Sequence, residues 1–205
     1  MIEVTQAGGC WILRLNRQDK ANSLTRAMLA DLCRGVEAAR AAGAQALVLT
    51  GAGRVFSAGA DLDEARAGLA TDPVWEELSG AVSAMPCLTI AALNGTVAGG
   101  AMGMVLACDL RVAVPETRFF YPVMRLGFLP QPSDPVRMTR LIGPARAAMI
   151  LMAGTKIGAD EALAWGLVDR IAAPDALTDT VEALAADVLA ATPAHVAAIK
   201  AMVHG

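Results

Sequence analysis

From Leu78 to Cys108 the chain carries no charged side chain. A stretch of that length has no solvated face of its own, so the fold must bury it nearly all round. It is long enough to cross a bilayer, but Pro86, Asn94, Gly95, Gly99, Gly100 and Gly103 interrupt it. The pattern predicts several buried elements rather than one span. These are the end of a helix, a strand at 88–93, a turn at Asn94-Gly95, and a core helix opening at Gly99-Gly100 and running to Ala107. A chain of 205 residues with 55% hydrophobic residues and mean hydropathy +0.47 can supply that core as one domain and is too apolar to be disordered.

Around this span, short apolar runs alternate with helical patterns. CWILRL at 10–15 alternates as a half-buried strand does, and ALVLT at 46–50 is a continuous apolar run, as in a strand covered on both faces. Helical spacing is read at 22–42, 61–67, 72–84, 134–142, 144–152, 175–191 and 193–203, and further strands at 109–114, 118–120 and 167–171. With a hairpin at the start, the order is that of an α/β fold. Residues 1–190 are read as the main domain and 191–205 as a short, truncated C-terminal helical segment.

The net charge of −3 and pI near 5.4 leave no basic stripe for nucleic acid and no basic amphipathic helix for a membrane surface. The opening MIEVTQAGGCW has an acid at position 3 and no basic region before an apolar core, so no signal peptide is expected. Cys10, Cys33, Cys87 and Cys108 are widely spaced without a CxxC. They read as reduced thiols of a cytoplasmic protein. His195 and His204 are too few and too far from other ligands for a metal site, and no flavin or nicotinamide signature is present.

Two glycine-punctuated loops carry the functional signal. Phe56-Ser57-Ala58-Gly59-Ala60-Asp61-Leu62 and Asn94-Gly95-Thr96-Val97-Ala98-Gly99-Gly100-Ala101 each follow a strand and feed a helix. Glycine admits positive φ and close approach, and a helix start offers unpaired N–H groups at a positive dipole end. Two such donors aimed at one point would make an oxyanion hole; the simpler alternative is a pair of tight turns. Neither loop is a GxGxxG turn or a phosphate loop ending in GK[ST].

SAGADL, then NGTVAGGAMGMVLACDLRVA, then a segment around Pro122 and GFLP, resembles the crotonase (enoyl-CoA hydratase/isomerase) superfamily. LNRQDKANSL and LIGPARAAMILMAGTKIGADEALAWGLVDRI extend the likeness from Ile12 to Lys200. The resemblance implies a right-handed spiral of ββα units, a homotrimer or dimer of trimers, and an acyl-CoA substrate with no tightly bound cofactor. It implies that the Ala60 and Gly100 N–H groups hold the thioester oxygen as it becomes an enolate. It also implies that Lys20, Ala21, Ala58, Ala60, Asp61, Leu62 and Asp63 cradle coenzyme A, mostly through backbone.

The family's acids are missing. The positions of the two hydratase glutamates are Gly103 and Val123, and the aspartate position of several isomerases is Gln131. None can transfer a proton as a carboxylate does, so isomerase- or decarboxylase-like enolate chemistry is expected over hydration. The alternative is a non-catalytic acyl-CoA-binding or scaffold protein. Three residues are candidate substitutes. Asp134 reads first as the N-cap of a helix starting at Pro135. Tyr121, the only tyrosine, reads first as core packing, with proton donation as the other role. Arg125 reads first as a solvated arginine, and otherwise as the holder of a substrate carboxylate. Leu62, Ala65, Trp75, Val123 and Met124 are the expected pocket walls.

Overall fold

Three times in succession the chain lays one strand in a large sheet, adds a shorter strand to a second sheet, and leaves through helix. The computed structural model describes residues 1–204. The strands are β1 Ile2–Ala7, β2 Cys10–Leu15, β3 Ala46–Gly51, β4 Val55–Ser57, β5 Leu88–Leu93, β6 Thr96–Ala98, β7 Leu110–Ala113, β8 Arg118–Phe120, β9 Ile157–Gly158 and β10 Arg170–Ile171. The helices are α1 Arg26–Ala41, α2 Leu62–Arg66, α3 Val74–Ser83, α4 Ala101–Leu106, α5 Val123–Leu126, α6 Asp134–Ile142, α7 Pro144–Leu151, α8 Ala159–Trp165, α9 Leu177–Ala190 and α10 Pro193–His204. The large sheet has the order β1-β2-β3-β5-β7-β10, and the small one β4-β6-β8-β9. Within them β3, β5 and β7 run parallel, as do β4, β6 and β8, so each β-β-α turn stacks on the one before.

Period-two alternation sorts the large sheet's side chains between two cores. Leu13, Leu15, Leu47, Leu49, Ala91 and Leu93 join the main core with α1, α3 and α4; Val48, Ile90, Val112 and Val114 pack with Leu177, Val181 and Ala185 of α9. The uncharged span crosses both layers. Every residue of α4 is buried, which is why that helix carries no charge. No single helix among the described residues is long and apolar enough to cross a membrane.

Several elements differ from the sequence reading. The helix read from Asn22 begins at Arg26 behind Thr25, whose side chain accepts the Met28 N–H. Ala21 and Asn22 are left-handed (φ 49° and 52°). The buried Asn22 side chain is engaged elsewhere, accepting the Arg17 N–H and donating to the Ala52 and Val55 carbonyls. A side chain that bonds remote backbone competes with the helix it would otherwise start. The strand read at 167–171 shrinks to Arg170–Ile171, because Leu167 and Val168 are buried in the turn after Gly166. β4 and β6 lie inside stretches read as loop or turn; three residues are too few for periodicity to register.

Burial pushes the Cys87 and Cys108 thiols up to about 11 and about 12. The thiolate is the reactive form. Neither should therefore react with a soluble disulfide reagent at pH 8 in the native protein, while both should react promptly once it is unfolded, as followed by thiolate release.

Candidate active site

The two loops meet. Gly59 has φ 92° and Gly99 φ 55°. A Cβ on Gly59 would stand 2.9 Å from the Ala98 carbonyl oxygen and 3.6 Å from the Gly99 Cα. Side chains there would wedge the loops apart. Ser57 fixes the first loop, its hydroxyl accepting the Gly59 N–H (3.1 Å) and donating to the Asn22 carbonyl (2.8 Å). Leu24 runs beside Ala60 in a parallel bridge, donating to the Gly59 carbonyl and accepting the Asp61 N–H.

Four donors around the contact are bonded within the protein. The Ala58 N–H bonds the Ala21 carbonyl, that of Gly59 bonds Ser57, that of Asp61 bonds Leu24, and that of Gly99 bonds the Phe120 carbonyl. The N–H groups of Ala60 and Gly100 have no hydrogen-bond partner among the described residues, nor do those of Leu62 and Ala101, the first residues of α2 and α4. Ala60 and Gly100 line one cavity of about 230 Å³, walled by Ala58, Leu62, Ala65, Trp75, Tyr121 and Val123 among others. Trp75 forms the wall against Gly100, where a Cβ would lie 3.1 Å from its ring, and its indole N–H is anchored on the Leu69 carbonyl at 2.8 Å. No carboxylate among the described residues lines this cavity.

Of the residues expected to cradle coenzyme A, Ala58, Ala60 and Leu62 reach the cavity; Lys20, Ala21, Asp61 and Asp63 do not. Asp61 caps α2 through the Asp63 and Glu64 N–H groups and pairs with Arg17 at 2.7 Å. The hydrogen bond from Arg17 holds its carboxyl below the usual carboxylate range. Arg125 and Met124 face a neighbouring cavity with Lys156 and Met152, which shares only Phe120 and Pro122 with the first.

Asp134 is not a helix cap. Ser133 occupies that position without a side-chain cap bond, and Asp134 is the first residue of α6, turned inward and fully buried. Its Oδ2 accepts the Tyr121 hydroxyl at 3.0 Å, and its Oδ1 has no partner. The Gln131 N–H approaches the Tyr121 oxygen at 3.4 Å. Gly103 is what admits Asp134: a Cβ there would be 3.0 Å from Oδ1. Burial drives the Asp134 carboxyl up to about 7, against the Tyr121 hydrogen bond and nearby Arg137, while Glu76 adds to the rise. Burial also raises the Tyr121 phenol. Glu76 is held by the Ser133 N–H at 3.2 Å and by the Ser133 hydroxyl. The sequence reading missed Glu76, Ser133 and Asn22, since a pairing across distant elements leaves no local pattern.

A larger cavity, about 510 Å³, lies between the large sheet and α9–α10. On its wall Asp109, Lys200 and His204 already satisfy one another.

A spiral of β-β-α turns that brings two glycine-led loops together at the start of a buried helix is the architecture of the crotonase class. The chain belongs to the enoyl-CoA hydratase/isomerase family, whose model matches residues 5–205. Among its relatives is a Mycobacterium leprae protein named "Probable enoyl-CoA hydratase echA6", 35% identical over 198 residues, covering 94% of this chain and 78% of the relative. A crystal structure of enoyl-CoA hydratase from Bacillus anthracis superposes with a TM-score of 0.92 at 31% identity, covering all of this chain and 82% of that one. A Geobacillus kaustophilus enoyl-CoA hydratase structure gives 0.88 at 35% identity, covering 99% of this chain and 80% of that one.

Proposed function

We propose that this protein binds an acyl-CoA in the Ala60–Gly100 cavity and stabilises the enolate of its thioester. The observation that carries the reading is the pair of unpartnered N–H groups on Ala60 and Gly100, two residues from different loops that line one cavity, beside the bonded donors of Ala58, Gly59, Asp61 and Gly99. An oxygen that gains charge on enolisation gains more from such fixed donors than the ground-state carbonyl does, which is the condition for rate acceleration. Coenzyme A is bound as part of the substrate, with the Ala58–Leu62 backbone at the mouth.

Hydration needs one group to activate water and another to deliver a proton. The cavity wall carries no carboxylate among the described residues, and the positions at which the family resemblance implies acids, Gly103, Val123 and Gln131, are not carboxylates. Double-bond migration, which moves a single proton, or decarboxylation, which forms the enolate without a base, fits these walls better. Arg125 lines the neighbouring cavity instead of this one, so it is not assigned to an acyl carboxylate. The chain is expected to act as a homotrimer or dimer of trimers in the cytoplasm, as the family resemblance implies.

Calorimetric titration with acetoacetyl-CoA, using free coenzyme A as the control, tests the reading. The thioester should bind at least tenfold more tightly than coenzyme A. Equal affinities would mean that the N–H pair does not recognise the acyl oxygen. Binding without turnover on any acyl-CoA would favour a carrier or scaffold role.

A further inference from the structure

The geometry points to Tyr121 as the catalytic proton carrier of this site, with Asp134 behind it as the positioning residue that takes and returns the proton. The inference rests on the thioester reading above and adds the proton path which that reading lacks.

Tyr121 is the one residue of the cavity wall with an ionisable side chain, and its hydroxyl oxygen sits 3.0 Å from Asp134 Oδ2. Asp134 does not reach the cavity, so it acts only through the phenol. Its other oxygen, Oδ1, is buried without a partner. A buried carboxylate oxygen without a donor is costly for a purely structural contact. Gly103 makes the space: its missing Cβ leaves room for Oδ1, which would stand 3.0 Å from it. The acid that serves the site stands on α6, and the tyrosine bridges the gap to the substrate.

The protonation state of Asp134 sets which way the phenol proton points. With Asp134 ionised, the Tyr121 O–H is directed at Oδ2 and the phenol oxygen offers a lone pair to the cavity. With Asp134 protonated, its own O–H can turn to the phenol oxygen and release the Tyr121 proton toward the substrate. In the forward step the α-carbon C–H bond of the thioester breaks and its proton goes to the Tyr121 oxygen. The Tyr121 proton passes to Asp134 in the same event. The C–H electron pair becomes the enolate π system, with charge on the oxygen held by the Ala60 and Gly100 N–H groups. The reverse transfer returns a proton to the α-carbon, or to the γ-carbon of an unsaturated chain. The phenol never becomes a free phenolate, consistent with the rise that burial imposes on it. The groups that tune Asp134 are Glu76 on α3, Arg137 on α6 and Tyr121 itself; α4 presents only Gly103.

The test is exchange of the α-protons of butyryl-CoA in D2O, read by NMR, beside calorimetric binding of the same thioester. The native protein should catalyse exchange with a rate that rises with pH through about 7, because removal of the proton requires ionised Asp134. Tyr121→Phe and Asp134→Asn should each lower exchange about 100-fold while binding stays within a few-fold. Undiminished exchange in Tyr121→Phe would overturn the assignment. So would a flat rate–pH profile of the native protein, a readout that needs no variant to fold. Binding without exchange in the native protein would remove the relay and leave the thioester reading intact. Absence of both would remove the two together.

Discussion

Replacing Gly100 with proline should reduce enolate formation about 100- to 1,000-fold, the usual cost of deleting one oxyanion donor. The N–H of residue 100 belongs to the backbone, so only proline deletes it. The site tolerates the proline φ, since Gly100 sits at φ −59°. The new ring carbons would press on Trp75, whose ring lies 3.1 Å from the position of a Cβ. Gly100→Ala makes the same contact while keeping the N–H and serves as the control. Exchange at the α-carbon measured for both variants separates the donor from the crowding. Loss in the proline variant alone supports the hole; equal loss in both places the effect on Trp75.

Asp109→Ala should cost about 1.5–3 kcal/mol of stability, the range for losing hydrogen bonds to a charged group, here a part-buried one. Asp109 Oδ2 accepts from the Thr89 N–H (2.8 Å), the Thr89 hydroxyl (2.9 Å) and Lys200 Nζ (2.8 Å), and Oδ1 meets His204 Nε2 at 2.8 Å. Without the carboxylate, Lys200 keeps only the Cys87 carbonyl beside β5, and α10 loses the contacts of Lys200 and His204 with Asp109. Burial works against ionisation of Asp109, but Lys200, with Thr89 and His204, more than offsets it and holds the carboxyl below its ordinary value. A depressed carboxyl stabilises the fold above the unfolded pKa of about 3.9 and loses that contribution as pH falls through the folded value. Urea unfolding of the native protein and the variant should therefore differ most at neutral pH and converge in acid. Asp134 has the opposite sign: its raised carboxyl keeps a proton that the unfolded chain releases, so its contribution weakens as pH rises from about 4 to about 7.

The architecture was legible wherever a stretch was long enough to show a period. The uncharged span gave α4 and β5, and alternation at 10–15 and 46–50 gave β2 and β3. The paired loops were legible through their glycines, because a positive φ at Gly59 and Gly99 and their contact with each other leave a residue signature. Asp134 was not. Followed by proline, it has the local chemistry of a cap, and its true neighbours, Tyr121 and Gly103, lie 13 and 31 positions away in sequence (134 − 121 and 134 − 103). Which of two readings wins was decided by tertiary packing: Gly103 opened a space that only a side chain from another helix could fill. Asn22 misled in the same way, since its amide serves backbone at residues 17, 52 and 55 rather than its own helix.

The two donors proposed to hold the thioester oxygen belong to residues 60 and 100, an alanine and a glycine with no functional group of their own. Point substitutions elsewhere on the wall can add, remove or relocate acids without touching them. A lineage built on this scaffold can therefore exchange one reaction for another while its grip on the shared intermediate is inherited unchanged. The Asp134–Tyr121 pair, seated in the space that Gly103 leaves, involves neither donor.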